Sequence, residues 1–588
     1  MLFYDFEVFK YDWLVVVIHM TEKKEYVIVN DRAALEKLYQ DNVNDIWTGF
    51  NSRHYDQYIL KGILCGFDPK RINDYIIIRN QPGWKFSSMF WDIPLNNYDV
   101  MANIDRGLKV FEGFLGNNIK ETSVPFDIDR KLTQAEIEET IKYCRHDVEQ
   151  TIEVFMQRKE DFTAHMGLVK LACQGKGLDL SLISKTNAQL AAVILDATQR
   201  EHNDEFDIDF PDTLEIKKYT AVMDWYKNPD NHCYSRHVPG KKTPEKMQLN
   251  ITVAGCPHTF AWGGVHGALE KYHGEGYYLM ADVASLYPSL MIRYNLHSRN
   301  MKNPKKYEEI YHTRLQYKKE KNPLQAPLKL VLNSTYGVMK DKANDLYDPR
   351  QANRVCVYGQ LLILDLIEHL EAIPGLQLIQ SNTDGILIKM ENPNDYYTID
   401  DICAEWEERT GLNLEFDEYK RVYQKDVNNY VVVPHGDIYT ADGKPRWKSK
   451  GAYVKKLSAL DYDLPIINQA LINYMVRNIP VEQTILGCND LKEFQLVSKI
   501  SSKYDYILHG SSRVNESCIR VFASKDEHDS GVKKVHAITK RPAKISNSPE
   551  HCFIWNDEVN GVSCPAKLDK QWYIKLTYKR LQDFGVML

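Results

Sequence analysis

The chain opens with three strand-length runs of apolar side chains, LFYDFEVF, WLVVVIHM and EYVIVN, separated by charged turns. DRAALEKLYQ then shifts to helical spacing, so the pattern predicts a mixed α/β region. A long helix is predicted from about residue 133, in LTQAEIEETIKYCRHDVEQTIEVFMQRK, with Thr133 as its cap and acids in its first turn. It reads as the closing element of a first domain. Between about 170 and 250 come further helices and then NPDNHCYSRHVPGKKTPEK, a Pro- and Lys-bearing stretch with the chemistry of a connector. GYYLMADVASLYPSLMIRY and LQLIQSNTDGILIKM next read as strand-turn elements around a second core. A helical pair lies between them, at roughly 305 to 340, broken at Asn322-Pro323. The remainder mixes two helices, LPIINQALINYMVRNI and DKQWYIKLTYKRLQDF, with short strands.

Composition narrows this picture. At ~100 to 200 residues per domain, 588 residues predict three or four domains and exclude a small binding module. Lys+Arg 74 against Asp+Glu 80 leaves a net charge of -6, so any grip on a polyanion must come from local basic patches or bound metal. The 11 cysteines never fall within three residues of one another, which excludes CxxC metal and redox motifs. With no signal peptide ahead of them, a reduced, cytoplasmic setting is expected. No apolar run approaches the ~18 residues of a membrane span, so no membrane partner is expected.

Candidate chemistry begins at Asp5 and Glu7. Two apart on a strand, their carboxylates project to one face about 7 Å apart, a spacing suited to sharing hard cations. Alone, the pair would better suit the exposed face of an edge strand. Its company argues for metal: NSRHYD supplies Asp56, and YCRHD puts Tyr143 and Asp147 four apart on one helix face. Four acids could hold two divalent ions that activate a water and stabilise a leaving phosphodiester oxygen, with the tyrosine hydroxyl orienting the water. His54 and His146 read as local hydrogen-bonding residues, because oxygen ligands suit Mg2+ better than imidazole.

A second carboxylate pair is expected farther on. Asp282 ends the strand YYLMAD, before a sharp turn in which Pro288 limits helix continuation; an acid there can bind metal together with a neighbouring carbonyl, that of Val283. Asp384 sits in the hairpin turn of SNTDG. Brought side by side, the two would form a two-metal site for in-line nucleotidyl transfer. Between them, LKLVLNSTYGVMK spaces Lys329, Asn333 and Tyr336 along one helix face, offering a cation, an amide and a flat ring. Arg314 and Lys318 on the preceding helix add charge for the same phosphates. From Lys420 to Lys456, nine Lys or Arg stand against three Asp, interleaved with Tyr423, Tyr430, Trp447 and Tyr453, a natural phosphate-contacting stripe.

DVASLYPS, KLVLNSTYG and NTDG, in that order, resemble motifs A, B and C of family B DNA polymerases, and the upstream acids resemble the three motifs of proofreading 3′-5′ exonucleases. The resemblance covers about residues 1 to 460. It implies an α/β and α+β multidomain fold, an RNase H-like exonuclease domain followed by a right-hand polymerase domain with palm, fingers and thumb. The implied divisions are 1–165 for the exonuclease, 166–250 for a helical connector, 251–304 for the motif A palm and 305–340 for the fingers. The rest of the palm would span 341–456, and the thumb and C-terminal region 457–588.

The resemblance also implies roles. Asp5, Glu7, Asp56 and Asp147 would be exonuclease metal ligands, with Tyr143 catalytic and Asn51 and Tyr55 holding the single-stranded 3′ end. Asp282, Val283 and Asp384 would bind the polymerase metals. Tyr287 would exclude a 2′-hydroxyl, Ser285 and Leu286 would contact the nucleotide, Lys329, Arg314 and Lys318 would bind triphosphate, and Asn333 and Tyr336 would line the nascent pair. Lys450 and Tyr453, in WKSKGAYVKK, resemble the Lys/Tyr motif at the primer terminus, and Gly263 and Gly264 a Gly-Gly element near template phosphates. Motif C departs from the pattern: Asn382 stands at the usual first acid and Gly385 at the usual serine. An exonuclease lysine found in some relatives has no clear counterpart, Lys109 and Lys120 being the candidates.

Mg2+ at two ions per site, with Mn2+ as substitute, primer-template DNA and dNTPs are the implied cofactor and substrates. A sliding clamp, helicase or single-strand-binding protein would be the protein partners. Short gaps between the motifs resemble compact bacteriophage members that are not protein-primed, which would put the chain in a host bacterial cytoplasm. Two other readings stay open: an exonuclease or repair nuclease whose C-terminal half only binds DNA, and a replisome scaffold docking a clamp through RLQDFGVML.

Overall fold

The computed structural model describes residues 1–101, 106–241 and 243–587. The chain packs as two compact units, each assembled from separated segments.

The first unit comprises Met1–Thr186, Leu457–Pro465 and Cys488–Tyr573. Its five-stranded sheet runs in the order Lys24–Val29, Trp13–His19, Leu2–Val8, Ile46–Gly49, Asn96–Asp99. The first three strands are antiparallel, and the last two run parallel to Leu2–Val8. Leu2–Val8 is therefore central, not an edge. Alternation sends Leu2, Tyr4, Phe6 and Val8 into a core shared with Ile59, Leu60 and Ile63 of the Asp56–Leu64 helix. The opposite face carries Phe3, Asp5 and Glu7 and is covered by the helix Gln134–Gln157, whose Phe155 meets Phe3 edge-on at 5.2 Å. That helix starts at Thr133, where Thr133 and Glu136 form a reciprocal capping box of the kind that stabilises a helix start by about 1 kcal/mol.

Two segments depart from the linear division. Residues 166–186 stay with the first unit: Leu168 and Val169 of the helix Lys159–Ala172 are buried, and His165 bonds the Ile183 carbonyl at 3.0 Å. Residues 457–588 do not form one region, because 488–573 returns to the first unit and brings a three-stranded and a four-stranded sheet. Arg520 anchors this return. Fully buried, it donates to the carbonyls of Gly113 and Asn117, at 3.0 and 2.8 Å, and to those of Trp555 and Asp557. The basic cluster at Lys533–Lys544 lies in the four-stranded sheet, with Lys534 over the Tyr504 ring and Lys540 paired with Asp505.

The second unit comprises Asn187–Lys456, Ile466–Gly487 and Ile574–Leu588. A nine-stranded antiparallel sheet dominates it, with Tyr272–Val283 held between Leu414–Asp426 and Gly385–Met390. The helix Pro349–Leu370 is buried along most of its length. Pro288 does not limit the helix after the Tyr272–Val283 strand, because it lies in the first turn of Leu286–Arg293, where its missing N–H would have no intrahelical partner. Lys305–Lys319 and Gln325–Val338 form the expected helical pair, tied by the Tyr307 hydroxyl to the Leu332 carbonyl. The polar connector folds back on itself as a short hairpin, Ser235–Arg236 against Glu245–Lys246.

Candidate active sites

In the first unit, four acids from three elements converge beneath the Gln134–Gln157 helix. Asp5 and Glu7 come from the central strand and Asp147 from the helix. Asp56 begins the Asp56–Leu64 helix, and its Oδ1 accepts the Phe6 amide at 3.1 Å, which ties it to the same strand. Glu7, Asp56 and Asp147 are buried at 7%, 3% and 8% exposure. Asn51 holds a left-handed conformation (φ 59°) that asparagine tolerates, and it turns the loop before Asp56 so that the buried Asp99 carboxylate caps the Asn51 and Arg53 amides. The Tyr55 hydroxyl donates to Asn73 at 2.8 Å.

Crowding sets the electrostatics. Burial, then Asp56, Glu7 and Asp147, push Asp5 well above the carboxylate range; burial, then Asp147 and Asp56, do the same to Glu7. Burial raises Asp56 to about 7 and also raises Asp147. The Tyr143 phenol is pushed up by burial and then by Asp147, Glu7 and Asp5, so it stays protonated and able to donate. Oxygen donors that destabilise one another when ionised fit hard divalent cations, which would relieve the repulsion.

Lys109 was a candidate the sequence could not place, and Glu112 and Cys144 were not singled out at all, yet the structure brings all three to this centre. Lys109, on the helix Leu108–Leu115, lies within it: its ammonium bonds Asp147 and Glu112 and sits 4.6 Å from the Tyr143 ring centroid. Burial alone would lower the Lys109 pKa, but Asp147 and Glu112 outweigh it and hold it above the lysine range. Glu112 is wholly buried, 3.6 Å from His146 Nε2. Cys144 packs against Asp5, its thiol held protonated by burial and nearby carboxylates.

In the second unit, Asp282 and Asp384 are brought together. Asp282 pairs across the sheet with Gly385, and Thr383 and Asp384 form the two-residue turn of the neighbouring hairpin. The Val283 amide donates to the Asp384 carbonyl at 2.7 Å. A Cβ at Gly385 would lie 2.1 Å from Asp282 Oδ1, so glycine makes room for this carboxylate. Burial raises Asp282 to about 6, Lys448 opposes that, and Asp384 and Asp417 add to it. Lys448 and Asp417 were not singled out in the sequence: Lys448 Nζ is 3.7 Å from Asp282 and 2.6 Å from Asp417. The register pairs Asp282 with Glu415, so Asp417, two residues on, shares that face.

A cavity of about 430 Å³ opens beside Asp384. Ser285, Leu286 and Tyr287 line one side, Arg314, Lys329 and Asn333 another, and Asn382, Asp384 and Lys450 also border it. Arg314 Nε is buried without a hydrogen-bond partner among the described residues. Tyr336 lies behind this lining, stacked on Tyr287 at 4.0 Å. Ser285 has φ 51°, a left-handed turn that swings the chain from the Asp282 strand into the lining. Gly264 permits close approach to the Thr383–Asp384 turn, since a Cβ there would lie 2.9 Å from Thr383 Oγ1, whereas a Cβ at Gly263 would meet open space.

Lys318, expected on the triphosphate, is exposed and outside the cavity lining, one helical turn beyond Arg314. Tyr453 has Lys425 and Arg580 against its ring. The aromatic stripe also reads differently: Tyr423 is buried and stacks on His273, and Tyr430 packs on the core beneath the sheet. No helix of the described residues is long and apolar enough to cross a membrane.

No family-level sequence profile matches the chain. It is 28% identical over 204 residues to DNA polymerase 1 of Sulfurisphaera ohwakuensis, a match covering 34% of this chain and 21% of that protein. It is 26% identical over 238 residues to DNA polymerase 1 of Saccharolobus solfataricus, covering 40% and 24%. The similarity thus spans less than a quarter of each relative's length. The family B DNA polymerase of Pyrobaculum calidifontis overlays all of this chain and 78% of its own at 14% identity, with a TM-score of 0.39, too loose a fit to add weight.

Proposed function

We propose that the chain is a template-directed DNA polymerase of family B type, with a 3′-5′ exonuclease in its first unit. The observation that carries this reading is the Asp282–Asp384 pair beside a cavity lined by Arg314, Lys329 and Asn333. A carboxylate pair next to converging cations suits a triphosphate whose α-phosphorus is attacked by a primer hydroxyl. Arg314 and Lys329 would bind and orient the triphosphate, and the unpartnered Arg314 Nε supports an anionic ligand. The Tyr287–Tyr336 stack would close the cavity wall against the sugar and the nascent pair. Mg2+ held by Asp282 and Asp384 would supply the charge that draws the nucleophile and the leaving pyrophosphate oxygen.

In this reading the nine-stranded sheet serves as palm and the 305–340 helical pair as fingers. In the first unit, Asp5, Glu7, Asp56 and Asp147 would hold divalent ions. Tyr143, protonated, would hydrogen-bond the attacking water, and Asn51 and Tyr55 would hold the strand end. The 3-2-1-4-5 strand order, with its central acidic strand, supports an RNase H-like exonuclease. The short spacing between motifs supports a compact, phage-type enzyme extending a nucleic-acid primer.

A labelled primer-template with Mg2+ tests the reading. Extension with dNTPs and shortening without them are expected. Asp384→Ala should abolish extension and spare shortening, and Asp5→Ala should do the reverse. Primer extension by Asp384→Ala would overturn the assignment. Shortening without any extension in the unaltered chain would favour a nuclease that merely binds DNA through its second unit.

A further inference from the structure

We propose that Glu112 is a positioning residue: it parks the Lys109 ammonium so that Asp147 can accept a divalent cation. The inference rests on the exonuclease reading of this centre. Lys109 and Glu112 lie three apart on Leu108–Leu115, facing the same way. Lys109 Nζ is shared between them, 3.0 Å from Glu112 Oε1 and 2.5 Å from Asp147 Oδ1.

Glu112 is wholly buried, yet its Oε2 has no hydrogen-bond partner among the described residues, and neither has His146 Nε2, which faces it at 3.6 Å. A buried carboxylate with a spare acceptor is costly to keep. Its spare oxygen can take the ammonium when Asp147 gives it up.

The need for such a group follows from the charges. Without metal, Lys109 neutralises Asp147. When a divalent ion reaches Asp147, ammonium and ion compete for one carboxylate and repel each other. Glu112 offers the ammonium a second carboxylate within the reach of a side-chain rotation. The backbone need not move, because Arg520 holds the Gly113 and Asn117 carbonyls at the far end of this helix, and the Cys518 thiol contacts the Lys109 carbonyl. Lys109 then stays over the Tyr143 ring while Asp147 is released to the ion.

Mn2+ binding tests this, measured by the electron paramagnetic resonance of free Mn2+ on the full chain carrying Asp384→Ala, so that only the first-unit centre is counted. Glu112→Gln should weaken Mn2+ binding about 10-fold or more. Lys109→Met should bind Mn2+ at least as tightly as the parent, and Lys109→Met/Glu112→Gln should bind like Lys109→Met, because no ammonium is left to park. A merely structural Glu112 would leave the double variant as weak as Glu112→Gln. Either that result or unchanged binding in Glu112→Gln overturns the proposal. Should Glu112→Gln not fold, Glu112→Asp, which keeps the charge but shortens its reach, should weaken binding and be rescued by Lys109→Met; failure of that rescue also overturns it. If no Mn2+ site is lost on Asp5→Ala, the exonuclease reading itself falls and takes this proposal with it. A site lost on Asp5→Ala but indifferent to Glu112 sinks the positioning role alone.

Discussion

The two carboxylate centres of this chain solve the same electrostatic problem in opposite ways. In the first unit the acids lie on a sheet face roofed by a helix, and the internal ammonium of Lys109 offsets part of their repulsion. In the second they sit at a strand end and a hairpin turn. There Asp384 is exposed, Asp282 is half-buried, and the cations Arg314 and Lys329 line an open cavity. A roofed centre keeps bulk solvent away from its carboxylates; in the proposed reading it would take a single strand end, and the open centre a triphosphate with a duplex terminus. The positions of the cations follow: an enclosed centre needs its own counter-ion, while an open one can leave its cations facing the space where an anion will bind.

Removing a cavity cation is the strongest way to sharpen the contrast. Arg314→Ala should raise the KM for dNTPs by ~100-fold, since a charge-assisted phosphate contact is lost where the guanidinium has no other partner on Nε. Shortening of a single strand should be unchanged. Steady-state kinetics of both reactions check this, and an equal loss in both would mean that Arg314 supports the fold and not the nucleotide.

A smaller effect is expected at Gly385. An added methyl there would lie 2.1 Å from Asp282 Oδ1, so Gly385→Ala must push the carboxylate aside. Extension should fall by ~10-fold or more, again without loss of shortening. Full extension by this variant would show that the Asp282 rotamer does not matter to transfer.

Local pattern made much of this legible. Alternation in LFYDFEVF gives the strand and the shared face of Asp5 and Glu7, and Thr133 with Glu136 marks the start of the helix that brings Tyr143 and Asp147 over them. Lys329 and Asn333 reach the cavity because helical spacing fixes their face. Pairings remote in sequence were not legible. Lys109 and Glu112 sit in an apolar run, KVFEGFL, where a lysine and a glutamate three apart are the sole hint of a buried pair. Arg520 reaches carbonyl oxygens some four hundred positions away, and nothing in CIRVFA announces that. Asp417 and Lys448 join Asp282 only through sheet register. Spacing also misled at Lys318, where sharing a face with Arg314 did not mean reaching the same cavity.

The gentlest probe of the comparison is pH. Asp56 is raised to about 7 and Asp282 to about 6, each chiefly by burial. A protonated carboxylate cannot ligate a cation, and in the first centre Asp5, Glu7, Asp56 and Asp147 are all raised, so its Mg2+ binding should weaken on acidification before that of the second. As pH is lowered at fixed, subsaturating Mg2+, shortening should decline several-fold before extension does; raising Mg2+ should restore it. The stability linkage has the sign of a raised acid: without metal, these groups stabilise the fold fully below their unfolded pKa, and that contribution is lost as pH rises through the folded value. Asp56→Asn should remove its share, so the metal-free parent should gain melting temperature relative to that variant on going from pH 8 to pH 6. Coincident pH profiles for shortening and extension would mean that the roofed centre is wetter than its packing implies.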